Sequence, residues 1–173
     1  QQAGPLVSVI DGASQGTIVS GGPFGGAFTG GVSVAAGDVN GDGRGDVILA
    51  PMTGGGSVVV YDLQTVSQIG AFAPYGAGFS AGVRVAAADI TGDGRADIIT
   101  GPGPNDASDI RVFSGATFAQ VLAAPAYGVG LGGGVFVAAP ARAPGILITS
   151  GAATTFTVGQ AGSFTVTTVG TPP

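Results

Sequence analysis

The chain has no Cys, His, Trp, Lys or Glu. With those residues missing, any general acid or base would have to be Asp or Tyr, and thiol and amine nucleophiles are ruled out, so an enzyme is not expected. The absence of Cys removes disulfides and thiolate metal sites, and leaves no cysteine pairs from which to read a redox compartment. All five positive charges are Arg, scattered along 173 residues and outweighed by ten Asp to a net charge of -5. Phosphate binding needs clustered basic residues, so nucleic acid is not an expected partner. No stretch approaches the roughly 18 uninterrupted apolar residues of a membrane helix, and no membrane insertion is expected. The first ten residues, QQAGPLVSVI, show neither the basic region nor the long apolar region of an export signal, which is expected to have been removed if the protein is secreted.

What the chain has in quantity is glycine, 35 residues of it, arranged in a repeat. Shifted by 51 or 52 positions, FGGAFTGGVSVAAGD (24–38) falls on YGAGFSAGVRVAAAD (75–89) and then on YGVGLGGGVFVAAPA (127–141). SVVVYDLQTVSQIGAFAPYG (57–76) falls on DIRVFSGATFAQVLAAPAYG (109–128), and LVSVIDGASQGTIVSGGPFG (6–25) is an earlier copy. About three units of 51 residues follow, at about 6–31, 32–82, 83–134 and 135–150, with a tail over 151–173. Within a unit the apolar runs are short and rich in Val and Ile, bounded by Gly, Pro, Asn and Asp, and none keeps helical spacing. The expected fold is all-β: tandem four-stranded antiparallel meanders of the size of β-propeller blades.

Six of the ten aspartates fall in two stretches, GDVNGDGRGDVI (37–48) and ADITGDGRADII (88–99), each between the first and second strand of its unit. In the first, Asp38, Asn40, Asp42 and Asp46 place side-chain oxygens at positions 1, 3, 5 and 9, and the Arg44 carbonyl stands at position 7 with its side chain expected to point away. In the second, Asp89, Asp93 and Asp97 recur, Thr91 replaces Asn40, and Arg95 is at position 7. Alternating oxygens on a glycine-rich bend can wrap one point, and without imidazole or thiolate they favour calcium. Two sites are expected, the second weaker for want of one donor. The plainer alternative is a pair of Asn-Gly and Asp-Gly hairpin turns, which gives no reason for the duplicated position-9 aspartate. The loops are not EF-hands, since they lack the acid at position 12 and are flanked by strands.

GVSVAAGDVNGDGRGDVILAP and GVRVAAADITGDGRADIITGPGP resemble the FG-GAP/VCBS repeats of integrin-type β-propellers, especially those of large bacterial secreted or surface proteins. That resemblance covers about residues 6–150. It implies a calcium loop of the form D-x-[DN]-x-D-G-x-x-D, with Asp38, Asn40, Asp42 and Asp46, and Asp89, Asp93 and Asp97, as ligands and Thr91 in the place of Asn40. The third unit departs from it: FVAAPARAPGILITS has no acids and should bind no metal. The tail TTFTVGQAGSFTVTTVGTPP (154–173) resembles the opening of a bacterial Ig-like module, and is read here as a hairpin that completes the last blade or pairs with a neighbour.

Three repeats are too few for a closed propeller of four to eight blades. An open arc exposes strand edges, which recruit further strands. The expected partners are therefore copies of the same chain, and the expected role is a calcium-stabilised, secreted structural protein assembling into a filament or other surface assembly. The alternative is an adhesion module of a larger surface protein, binding glycans or protein. Arg44-Gly45-Asp46 spells an integrin-binding tripeptide, but its aspartate is expected to serve the loop. Phe24, Phe28, Tyr75, Phe79 and Tyr127 recur with the repeat and are expected to pack between blades, and Asp106 and Asp109 to be turn residues on a solvated loop.

Overall fold

A computed structural model describes residues 4–104, 109–127 and 132–139, together with the short strand positions 147–148 and 168–169. The described residues contain strands and turns but no helix. Two antiparallel four-stranded meanders form the centre. The first consists of β3 (Val32–Gly37), β4 (Asp46–Pro51), β5 (Val58–Asp62) and β6 (Ser67–Phe72), the second of β7 (Val83–Ala88), β8 (Asp97–Pro102), β9 (Asp109–Phe113) and β10 (Gln120–Pro125), and in each the strands pair in chain order. Their registers are equivalent: Gly37 pairs with Asp46 and Ala88 with Asp97 at matching ends of the first ladder.

Ahead of them a two-stranded hairpin joins β1 (Val7–Ile10) to β2 (Thr17–Gly21). Its turn identifies it as the outer half of a further unit. Gln15, Val66 and Phe118, at the same place in the three outer hairpins, all take left-handed backbone angles, with φ of 58°, 53° and 56°. Val66 is the most unusual of these, because a β-branched side chain crowds the left-handed region. β11 (Leu147–Ile148) pairs with β12 (Thr168–Val169), and most of the tail expected to form a hairpin, 151–167 and 170–173, lies outside the described residues.

Burial follows from the stacking of sheets. β4 and β8 are central strands covered on both faces, and every residue of each is buried. One core joins the two sheets: Ile48, Val58 and Val60 of the first meet Val83, Val85, Ile98 and Phe113 of the second, with Val39 among them. On its far face the second sheet offers Ala86, Ile99 and Val112 to Val137 and Ala139. The far face of the first sheet, through Val47, Leu49 and Tyr61, looks across a cavity of about 160 Å³ to Val7, Val9 and Val19 of the hairpin.

The connection between the sheets is pinned by the recurring aromatic segment. Tyr75 and Phe79 pack 4.9 Å apart against the shared core. The Tyr75 hydroxyl donates to the Asp109 carbonyl at 2.9 Å, and Arg111 donates to the Pro74 carbonyl at 2.7 Å while its guanidinium stands over the tyrosine ring. Phe72 reaches Phe113 with ring centres 4.6 Å apart. Phe24 and Phe28 pair edge to face, whereas Tyr127, expected in the same packing role, is half exposed. Gly82 allows a close approach: its φ is +89°, and a Cβ there would stand 1.9 Å from the Met52 carbonyl oxygen, so no other residue fits.

Candidate metal centres

The two aspartate loops join β3 to β4 and β7 to β8, at the same end of neighbouring sheets. Each bends through two glycines with left-handed φ, Gly41 and Gly43 in the first and Gly92 and Gly94 in the second. That bend turns successive backbone amides inward, and the first aspartate collects them. Asp38 Oδ1 accepts from the N–H groups of Gly41 (2.7 Å) and Asp42 (3.1 Å), and Oδ2 from Gly43 (2.8 Å). Asp89 repeats the pattern with Gly92 (2.6 Å), Asp93 (3.1 Å) and Gly94 (2.9 Å). Asp42 Oδ1 and Asp93 Oδ1 accept from the amides of Arg44 and Arg95 at 2.8 and 2.9 Å. Asn40 Oδ1 accepts from the Asp42 amide at 2.9 Å, and its Nδ2 donates to Asp42 Oδ2 at 3.3 Å. Among the described residues no side-chain bond of this kind forms at Thr91, which enters through its backbone amide.

The position-9 aspartates stand apart from the exposed part of the loop. Asp46 and Asp97 are fully buried at the start of the central strands. Asp46 Oδ2 accepts from the amides of Val39 (2.9 Å) and Asn40 (3.2 Å), and Asp97 Oδ2 from Ile90 (2.8 Å) and Thr91 (2.7 Å). This corrects the argument that a turn gives position 9 no purpose. Each of these carboxylates ties the loop's entry to the strand that leaves it, and would be needed for the bend with or without an ion.

The other oxygens distinguish the loops. Asp97 Oδ1 accepts from the Gly115 amide at 3.1 Å, whereas Asp46 Oδ1 is buried without a hydrogen-bond partner among the described residues. Burial pushes the Asp46 carboxyl above the usual carboxylate range. The amides of Val39 and Asn40 oppose the shift, and the carboxylates of Asp62 and Asp42 add to it. A buried acceptor of this kind is costly unless something pairs with it, and a hard cation is such a partner. The first loop therefore fits a divalent cation on this oxygen and on the all-oxygen character of its neighbours. Among the described residues, however, no three acids already stand together as a finished ion cage, because most of the carboxylate oxygens are turned onto their own amides.

Arg44 is exposed, and Asp62 is held below the usual carboxylate range first by the Thr65 hydroxyl, then by the amides of Gln64 and Thr65 and by the charge of Arg44. Arg95 behaves differently: its Nη1 donates to the Asn40 carbonyl of the first loop, a contact across 55 residues that no local pattern announces. The buried Asp46 leaves Arg44-Gly45-Asp46 unable to present its carboxylate to a receptor. Asp109 forms an ion pair with Arg111 at 2.7 Å, and Asp106 lies outside the described residues.

Stacked antiparallel four-stranded sheets carrying the same polar loop at the same place define a tandem blade-type repeat. Residues 38–100 match the family model of the FG-GAP-like repeat, a span that takes in both loops and supports the FG-GAP family for this part of the chain. No curated protein and no solved structure matches the chain.

Proposed function

We propose that the chain is a non-enzymatic structural repeat module of an extracellular or cell-surface protein, stabilised by calcium at two loops and joined to copies of itself through β-strand edges. The observation that carries the calcium reading is the duplicated loop, with the buried, unpartnered Asp46 Oδ1 at its base. Asp38, Asn40, Asp42 and Asp46, with the Arg44 carbonyl, would hold one ion. Asp89, Thr91, Asp93 and Asp97, with the Arg95 carbonyl, would hold the other. Bound there, calcium would supply positive charge beside three carboxylates in each loop. The first site is the stronger in this reading, because Asp97 Oδ1 is already engaged by Gly115. Kinship with VCBS repeats and the Ig-like character of the tail rest on the residues quoted above.

Self-association is supported by a separate observation. Among the described residues β1 pairs only with β2, so the outer edge of β1 is open, and Leu6, Ile10 and Ile18 in and beside the hairpin are exposed. Open strand edges beside apolar surface favour pairing with another chain. A surface with few charges does little to oppose such contact.

Thermal melting with a calcium titration tests the first part. An ion at a hundredfold excess over Kd should add about 2.7 kcal/mol per site, and a melting curve indifferent to calcium and chelator sinks the reading. Chromatography with light scattering tests the second. A monomer at micromolar concentration with calcium present refutes self-assembly, and a monomer that also binds in a glycan array points to an adhesion module.

A further inference from the structure

Arg95 belongs by sequence to the second loop, yet its side chain serves the first. Its Nη1 donates to the Asn40 carbonyl, and the next amide, Ala96 N–H, donates to the Asp38 carbonyl at 2.7 Å. The guanidinium stands so close to the first bend that a Cβ on Gly41 would come within 3.1 Å of Arg95 Cζ. At the same time the backbone N–H of Arg95 is held by Asp93 Oδ1 inside the second loop. The equivalent residue of the first loop, Arg44, is exposed. Equivalent positions in the repeat therefore do different work: one faces solvent, and the other bridges two blades.

We propose that Arg95 is a positioning residue that ties the first loop to the second, so that divalent-cation binding in either strengthens binding in the other. The coupling rests on the calcium reading given above, whereas the tie itself does not. Asn40 occupies position 3 of the first loop, and Arg95 occupies position 7 of the second. A residue whose backbone is held in one loop and whose guanidinium is held in the other cannot be ordered for one alone. Order gained at one loop is then order that the other need not supply, and the effect is reciprocal. The positive charge of the guanidinium works against an ion in the first loop, but Arg95 is only partly buried and water screens that repulsion. The restraint on the backbone decides the sign.

Two measurements on the full chain test this, with Arg95→Ala and Arg95→Lys as variants and Gln68→Ala, at an exposed position of β6 outside both loops, as control. In chelator, hydrogen exchange at the amides of Gly41, Asp42 and Gly43 should quicken in Arg95→Ala by about fivefold or more, the low end of a typical coupling. Gln68→Ala should leave these rates unchanged. Calorimetric calcium titration should then show first-loop affinity weakened by a similar factor in Arg95→Ala. Asp93→Asn should weaken the first loop in the wild-type background but not further in Arg95→Ala. Arg95→Lys keeps the charge without the fork and should behave like the alanine variant; it also answers the question if the alanine variant does not fold. Unchanged exchange, or tighter calcium binding in Arg95→Ala, overturns the proposal. A wild type that takes up no calcium removes the ion reading and the coupling with it, and the exchange rates in chelator still decide the tie.

Discussion

Replacing Asp46 separates the calcium reading from the plain turn, because its two oxygens do different things. Oδ2 accepts from two amides, and Oδ1 has no hydrogen-bond partner among the described residues. Asp46→Ala leaves both amides without their acceptor, and that of Val39 is fully buried. At about 1–3 kcal/mol for each of the two stranded donors, the loss is about 2–6 kcal/mol whether or not calcium is present. Asp46→Asn keeps the accepting oxygen and removes the buried charge, so in chelator it should stay within about 1 kcal/mol of the wild type. It should nevertheless lose the stabilisation that calcium adds at this loop. Asp97→Asn gives the contrast. Its new amide must face the Gly115 N–H that Asp97 Oδ1 now accepts, donor against donor, and it should cost about 1–3 kcal/mol more than Asp46→Asn in chelator. Urea denaturation in calcium and in chelator reads all of these values. If Asp46→Asn keeps the full calcium increment, or Asp46→Ala costs under about 1 kcal/mol, the assignment of the two oxygens is wrong.

Further outcomes follow from the same geometry. The Asp46 carboxyl is raised by burial, so in chelator its contribution to stability is greatest below the unfolded carboxylate value of about 3.9 and is lost as pH rises through its higher folded value. Relative to Asp46→Asn, the wild type should therefore lose stability with rising pH across that acid window, and parallel pH curves would contradict it. Gly82→Ala should cost about 3 kcal/mol or more, or prevent folding, since both its backbone angle and the Met52 carbonyl oppose a side chain; circular dichroism melting measures it. Val66→Gly should be neutral or stabilising by up to about 1 kcal/mol, because it removes a β-branched residue from a left-handed turn on the surface, and a clear destabilisation would show that Val66 packs more than its exposure suggests.

The meanders were legible because Val and Ile runs of four to six residues between glycine clusters admit little besides strands, and the shift of 51 or 52 residues set the matching strands side by side. The two loops were legible for a similar reason, since carboxylates at every fourth position on a glycine bend are conspicuous in a chain with so few charges. What each carboxylate grips was not. Asp38 and Asp89 bond to amides whose direction is set by the torsions of Gly41, Gly43, Gly92 and Gly94, and no residue letter records it. The structural part of Asp46 and Asp97 was missed because it follows from burial at the start of central strands, which is a property of the stacked sheets. The bridge from Arg95 to Asn40 spans blades, and Arg44 carries the same letter without making it. Tyr127 recurs with the partly buried aromatics and is half exposed, although its position in the repeat is the same.

The amides around Asp38 and Asp89 brace each bend from within. A carboxylate already spent on its own backbone would have to release those amides before it could take an ion, so uptake would be paced by the loop as well as by the shedding of water from the ion. Such a chain would follow the hardness of the surrounding water, stiffening and softening in turn while keeping its outline.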